Sequence, residues 1–145
     1  MYISTVRVVL DTSVIVAAFR SRHGASNAVL RLVATQAVVP LATPALFLEY
    51  EDVLKRPGQR AATGLSLAEV DRILAALASA TEPVETHFAW RPQLRDADDE
   101  MVLEAAVNGR AAAIVTHNER DFAAMAPRFG VDILTPRALL ERIER

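Results

Sequence analysis

Four acidic residues far apart in the chain each adjoin an apolar run. Asp11 closes the run 6–10, and Glu49 lies inside the stretch 46–54. Asp99 belongs to a crowd with Asp96, Asp98 and Glu100, and Asp121 follows Ala113-Ile114-Val115-Thr116 after a short loop. If these junctions meet in space, like charges converge and repel one another unless a cation lies between them. Oxygen-only ligands suit a hard divalent ion, Mg²⁺ or Mn²⁺. Each acid also has a plainer role. Asp11 and Asp121 can cap the helices that come after them, Glu49 can face solvent as Glu51 and Asp52 do, and acids favour a helix N-terminus in general. Yet a carboxylate ending an apolar strand needs partners or a cation, and four acids within residues 96–100 exceed what one cap requires.

The elements that would position these residues are legible in the pattern. Residues 6–11 read as a buried strand, succeeded by a helix to about Phe19 and a break at Ser21-Arg22-His23-Gly24. Ala28, Val29, Leu32 and Val33 fall at helical spacing, and 37–42 reads as a second strand. Thr43-Pro44 starts a helix that carries Glu49 and ends near Arg56-Pro57-Gly58. The stretch 55–64 is the most loop-like in the chain. Ser66-Leu67-Ala68-Glu69 forms a capping box for a helix to about Ala80. A short strand over 82–88, with His87 in it, precedes the acidic crowd and a helix over 98–108 stopped by Asn108-Gly109. A strand over 112–116, a turn and short helix over 118–125, a strand over 131–134 and a helix capped by Thr135-Pro136 complete the chain. Strands alternating with helices imply an α/β fold with a parallel sheet covered on both faces. Ligands of such sheets bind at the C-terminal edge, where strand order reverses. Asp11 and the group Thr116, Asn118 and Asp121 would face each other there if their strands are neighbours.

The totals narrow the function. A chain of 145 residues with 52% hydrophobic and 23% charged residues suits a single folded domain over 1–145. No apolar run reaches the ~18 residues of a membrane span, the secretory order of charged then apolar residues is missing, and a soluble cytoplasmic protein is expected. With no cysteine, disulfides, thiolate metal sites and cysteine nucleophiles are excluded. Neither GxGxxG nor GxxxxGK[ST] occurs, which argues against nucleotide cofactors. A net charge of −2 carries no global footprint of nucleic-acid binding, although every basic residue except Lys55 is Arg, the residue that forks onto phosphate.

Four segments resemble the motifs of a known family. Val9-Leu10-Asp11-Thr12-Ser13-Val14 and Phe47-Leu48-Glu49-Tyr50-Glu51-Asp52-Val53-Leu54 resemble the first two motifs of PIN-domain (VapC-like) ribonucleases. The segment from Trp90-Arg91-Pro92 through Asp96-Ala97-Asp98-Asp99-Glu100 to Ala105-Ala106 is similar to the third, and Ile114-Val115-Thr116-His117-Asn118-Glu119-Arg120-Asp121-Phe122 to the fourth. Ile133-Leu134-Thr135-Pro136 matches the branch that supplies toxins of bacterial toxin–antitoxin pairs. The resemblance implies a PIN-like three-layer α/β/α sandwich around a parallel sheet of four to five strands. It also places the metal-binding and catalytic acids on Asp11, Glu49, Asp99 and Asp121. Asp99 is preferred to Asp98 for its distance before Ala105-Ala106. Two positions depart from the family: Ser13 stands where Asn is frequent, and Asn118 stands where many relatives carry Asp.

The implied reaction is Mg²⁺- or Mn²⁺-dependent hydrolysis of RNA, leaving a 5′-phosphate and a 3′-hydroxyl. Thr12, Ser13, Thr116 and Asn118 would support the ligands, and Asp96 and Asp98 would serve a second metal or cap the helix. Arg95 and Arg120, or the cations of 55–60, would hold the RNA backbone. A toxin of this kind has a cognate antitoxin protein as partner, and homodimers are common in the family. Two other classes share the sequence features: a PIN fold that binds without turnover, and a phosphatase using Asp11 as nucleophile. The phosphatase would want a second Asp where Ser13 stands.

Overall fold

The structure is a computed structural model that describes residues 5–86 and 92–144. Its strands are β1 (Val6–Leu10), β2 (Val38–Ala42), β3 (Glu82–Pro83), β4 (Ala113–Val115) and β5 (Asp132–Leu134). They form one parallel five-stranded sheet in the order β3-β2-β1-β4-β5. The central β1 is enclosed from both sides, with Val8, Val9 and Leu10 fully buried. Its register on β4 sets Leu10 opposite Val115, so the chain leaves both strands at the same level of the sheet edge.

The helices are α1 (Thr12–Arg20), α2 (Ala25–Ala34), α3 (Pro44–Lys55), α4 (Pro57–Thr63), α5 (Leu67–Ala80), α6 (Ala97–Gly109) and α7 (Pro136–Ile143). The path from β1 through α1 and α2 to β2 runs one way along the sheet, and the path from β3 through α6 to β4 runs back. Right-handed crossovers in opposite directions put their helices on opposite faces. Hence α2 packs with α1 and α7, α6 covers β1, β2 and β4, and the result is a three-layer α/β/α sandwich. The order reverses between β1 and β4, the place where such sheets bind ligands. No helix among the described residues is long and apolar enough to cross a membrane.

Local rules hold at most boundaries. Thr43, Ser66 and Thr135 each accept a backbone N–H through the side chain, at 3.2, 3.1 and 3.1 Å, as N-caps of α3, α5 and α7. Elsewhere the observed chain departs from expectation. The stretch expected as a loop, 55–64, holds α4. Pro57 does break α3, but it then serves as the first residue of a new helix, which Gly64 ends at φ 76°. The strand expected over 82–88 is confined to 82–83; residues 87 and 88 lie outside the described residues. Where a turn and short helix are expected over 118–125, the chain forms the 3₁₀ segment Glu119–Asp121, and a second, Ala126–Phe129, follows that range.

Gly109 is the last residue of α6 rather than its left-handed stop, which falls on Arg110 at φ 52°. The glycine is needed for close approach: a Cβ there would lie 2.9 Å from Val84 Cγ2 and 3.1 Å from Leu41 Cδ1. Arg7 Nη2 meanwhile donates to the Gly109 carbonyl at 3.0 Å. Gly109→Ala is expected to destabilise the fold. Overpacking a full core costs about 1–3 kcal/mol, and better helix propensity returns at most about 1 kcal/mol. A lowered urea midpoint with an unchanged m-value would show it.

Candidate functional site

Asp11 leaves the end of β1 with only 7% of its surface exposed. Its backbone N–H donates to Val115 O at 2.9 Å, which ties the mouth of β1 to that of β4. Two hydroxyls converge on its side chain. Thr116 Oγ1 donates to Oδ2 at 2.7 Å, and Ser13 Oγ donates to the same oxygen at 2.8 Å. Each hydroxyl is itself oriented by a backbone amide: Asn118 N–H donates to Thr116 Oγ1 at 2.9 Å, and His117 N–H to Ser13 Oγ at 3.2 Å. An amide can only donate, so each hydroxyl proton is left for the carboxylate. Oδ1 stays outside this clamp, and the side chain makes no capping bond to α1. The plain capping role for Asp11 is therefore not its role here. Behind the strand, the buried Tyr50 hydroxyl donates to Leu10 O. Burial first, and the Asp11 charge second, push that hydroxyl far above its ordinary pKa, so it remains a neutral donor.

The acidic crowd divides by helical phase. Asp99 lies one turn before the buried Val102 and Leu103 and two before Ala106, so it points along the packed side of α6. Burial raises its pKa to about 6, with the charges of Asp121, Asp96, Asp11 and Asp98 adding to the rise in that order. Asp96 is the N-cap of α6, its carboxylate accepting from Asp98 N–H at 2.8 Å. Glu100 turns inward and accepts the backbone N–H groups of Gln93 and Leu94, pinning that segment to the helix. Asp98 is exposed.

Glu49 occupies a different corner. Its pKa is raised by burial, then by Asp98 and Asp52, with Arg56 opposing and Asp96 adding a smaller push. Asp98 and Asp96 thus act on both Glu49 and Asp99, while the charges of Asp121 and Asp11 act on Asp99. Asp121 sits in the 3₁₀ segment after β4, and its side chain caps nothing there. Thr12, half-buried, starts α1 and makes no side-chain bond to Asp11 among the described residues. Asn118 contributes its backbone N–H.

Asp96, Asp99 and Asp121 line a cleft of about 420 Å³ together with Arg95, Arg120 and Met125. The cations of 55–60 are otherwise engaged. Lys55 pairs with Glu51 at 3.2 Å and Asp71 at 2.8 Å, and Arg56 pairs with Asp52 at 2.7 Å. Arg60 Nε donates to Lys55 O at 3.3 Å.

The donor set suits a hard divalent cation: all oxygen, anionic, and crowded enough to raise Asp99. Among the described residues, no three carboxylate or imidazole side chains already stand close enough to enclose an ion. An ion would be held first by Asp99 with Asp121 and Asp11, two of the acids whose charges act on Asp99. Three contributors were not singled out from the sequence as part of a site: Tyr50 beneath the strand end, Glu100 under the 92–95 segment, and Ser26, the partner of His117. Only Glu100 had a readable signal, since it shares a helix face with Leu103.

No curated protein sequence matches the chain. The family model described as PIN domain, however, matches residues 7–120, which spans Asp11, Glu49 and Asp99 and stops one residue short of Asp121. With more than half of the 145 residues matched on a parallel sheet of this order, the chain belongs to the PIN domain family, a nuclease-type fold.

Proposed function

We propose that this protein is a Mg²⁺- or Mn²⁺-dependent endoribonuclease and the toxin of a type II toxin–antitoxin pair. The carrying observation is the Asp11 carboxylate, held by Thr116 and Ser13 at the strand-order reversal, whose charge, like that of Asp121, acts on the half-buried Asp99. A divalent ion, when bound, supplies charge stabilisation at the attacked phosphate and eases ionisation of a water. Asp11, Asp99 and Asp121 would hold it, with the charges of Glu49, Asp98 and Asp96 adding to the negative field. Ser13 and Thr116 keep the Asp11 carboxylate in one orientation. Arg95 and Arg120 flank the same cleft and are placed to grip the RNA phosphates, offsetting the repulsion between RNA and the acids.

The toxin role predicts growth arrest on expression, relieved by a small antitoxin protein that covers the acidic cleft. A homodimer in the cytoplasm completes the reading; the apolar groove lined by Phe19, Leu30, Val33, Ile73 and Leu77 supports self-association. Asn118, a neutral amide where many relatives carry Asp, favours one other reading, a PIN fold that binds RNA without turnover.

Incubation of purified protein with total RNA and with synthetic single-stranded RNA, plus Mn²⁺ or Mg²⁺, separates these readings. Cleavage to 5′-phosphate and 3′-hydroxyl ends, stopped by a chelator and restored by added ion, is expected. RNA binding with no cleavage at any metal concentration would leave only the binding module.

A further inference from the structure

The hydroxyl clamp on Asp11 continues outward through one more side chain. Ser26 lies in the first turn of α2, is 3% exposed, and bonds His117 Nε2 through its Oγ at 2.7 Å. Either partner can donate, depending on the imidazole tautomer. His117 follows Thr116 in the loop leaving β4, and its backbone N–H is the group that orients Ser13 Oγ toward Asp11. An unbroken chain thus runs from a buried hydroxyl on α2, through an imidazole and its own backbone, to the carboxylate at the sheet edge.

The neighbouring bonds show why such an anchor matters. Thr116, just past β4, is held by β5, its N–H donating to Leu134 O at 2.9 Å. His117 lies beyond the strand in an exposed loop, so its backbone has no ladder to fix it. Ser26, by contrast, belongs to a helix packed on α1 and α7 and provides a rigid post.

We propose that His117 is a positioning residue: seated on Ser26, it fixes the loop after β4 so that its N–H holds Ser13 Oγ, and through it Asp11, in the productive orientation. The inference rests on the nuclease reading above. His117 itself touches neither substrate nor ion in this role. The geometry asks only for a hydrogen-bonding tip that reaches Ser26, so glutamine can substitute for the imidazole.

The test compares wild type, Ser26→Ala, His117→Ala, His117→Gln and the double variant Ser26→Ala/His117→Ala. Mn²⁺ affinity is read by calorimetry and RNA cleavage by kcat and KM. Loss of a group that orients a ligand typically weakens metal binding or turnover by about 10–100-fold. Ser26→Ala and His117→Ala are each expected to lose roughly tenfold in Mn²⁺ affinity and kcat, with KM for RNA within about twofold. The double variant should be no worse than either alone, because both cut the same chain. His117→Gln should recover to near wild type. Wild-type behaviour of His117→Ala, a change in KM alone, or failure of Gln to rescue would each overturn the inference while leaving the nuclease reading in place. A wild-type protein that neither binds Mn²⁺ nor cleaves RNA would overturn both.

Discussion

Asp11→Asn is expected to lower RNA cleavage on the order of a thousandfold while leaving the protein folded. One side chain does two jobs here. Structurally, Oδ2 accepts the hydroxyls of Thr116 and Ser13, and an asparagine carbonyl can accept the same two bonds. Chemically, the carboxylate contributes a full negative charge to an ion site, and a neutral amide does not. Interactions with a catalytic ion are worth several kcal/mol at the transition state, and each ~1.4 kcal/mol is tenfold in rate. Asp11→Ala distinguishes the jobs further. It leaves the Thr116 hydroxyl, which is fully buried, without its acceptor, at a cost of about 1–3 kcal/mol. The Asn variant should therefore match wild type in thermal midpoint, and the Ala variant should fall below it, although both lose activity. Full turnover by Asp11→Asn would remove this carboxylate from the chemistry and with it the proposed site.

How much of this arrangement is legible in the sequence depends on the range of the interaction involved. β1 and β4 are apolar runs that only a covered sheet accommodates, and the caps at Thr43, Ser66 and Thr135 are short-range bonds over three residues. Such features can be read from spacing alone. Pro57 is harder because proline both ends one helix and begins the next, and the residues after it decide which. Gly109 has the look of a helix stop, but the constraint on it comes from Val84 and Leu41, which no local pattern relates to it. The acidic crowd needs its helical phase: Asp96 caps, Glu100 turns inward, and Asp99 is half-buried within reach of the Asp121 and Asp11 charges. The bond between Ser26 and His117 spans 91 positions in the chain and exists only because α2 packs beside the β4 exit. Glu49 is intermediate. Its helix is plain in the sequence, but its grouping with Asp98 and Asp96 depends on how α3 meets α6.

Asp99→Asn should move stability and metal response in opposite directions, which makes it the sharper test of the acid cluster. Asp99 carries a pKa of about 6 in the folded protein against an ordinary 3.8, through burial and the charges around it. The folded state therefore binds more protons than the unfolded state between those values, and stability falls as pH rises through that window. Above about pH 6 the charge is a standing cost in metal-free protein. Removing it should raise the thermal midpoint at pH 7.5, and the open side of the cleft screens the gain to about 1 kcal/mol, or roughly 2–4 °C. Below about pH 4 the variant should gain nothing, since Asp99 is neutral in both states. Added Mn²⁺ reverses the order. At about a hundred times its dissociation constant an ion stabilises wild type by about 2.7 kcal/mol, and the variant, short of one coupled carboxylate, should respond little and cleave RNA poorly. Proton and ion compete for Asp99, so below pH 6 the wild-type half-saturating Mn²⁺ concentration should rise about tenfold per pH unit and level off above it. A pH-independent Mn²⁺ requirement, or an Asp99→Asn variant stabilised by Mn²⁺ as strongly as wild type, would place the ion away from Asp99.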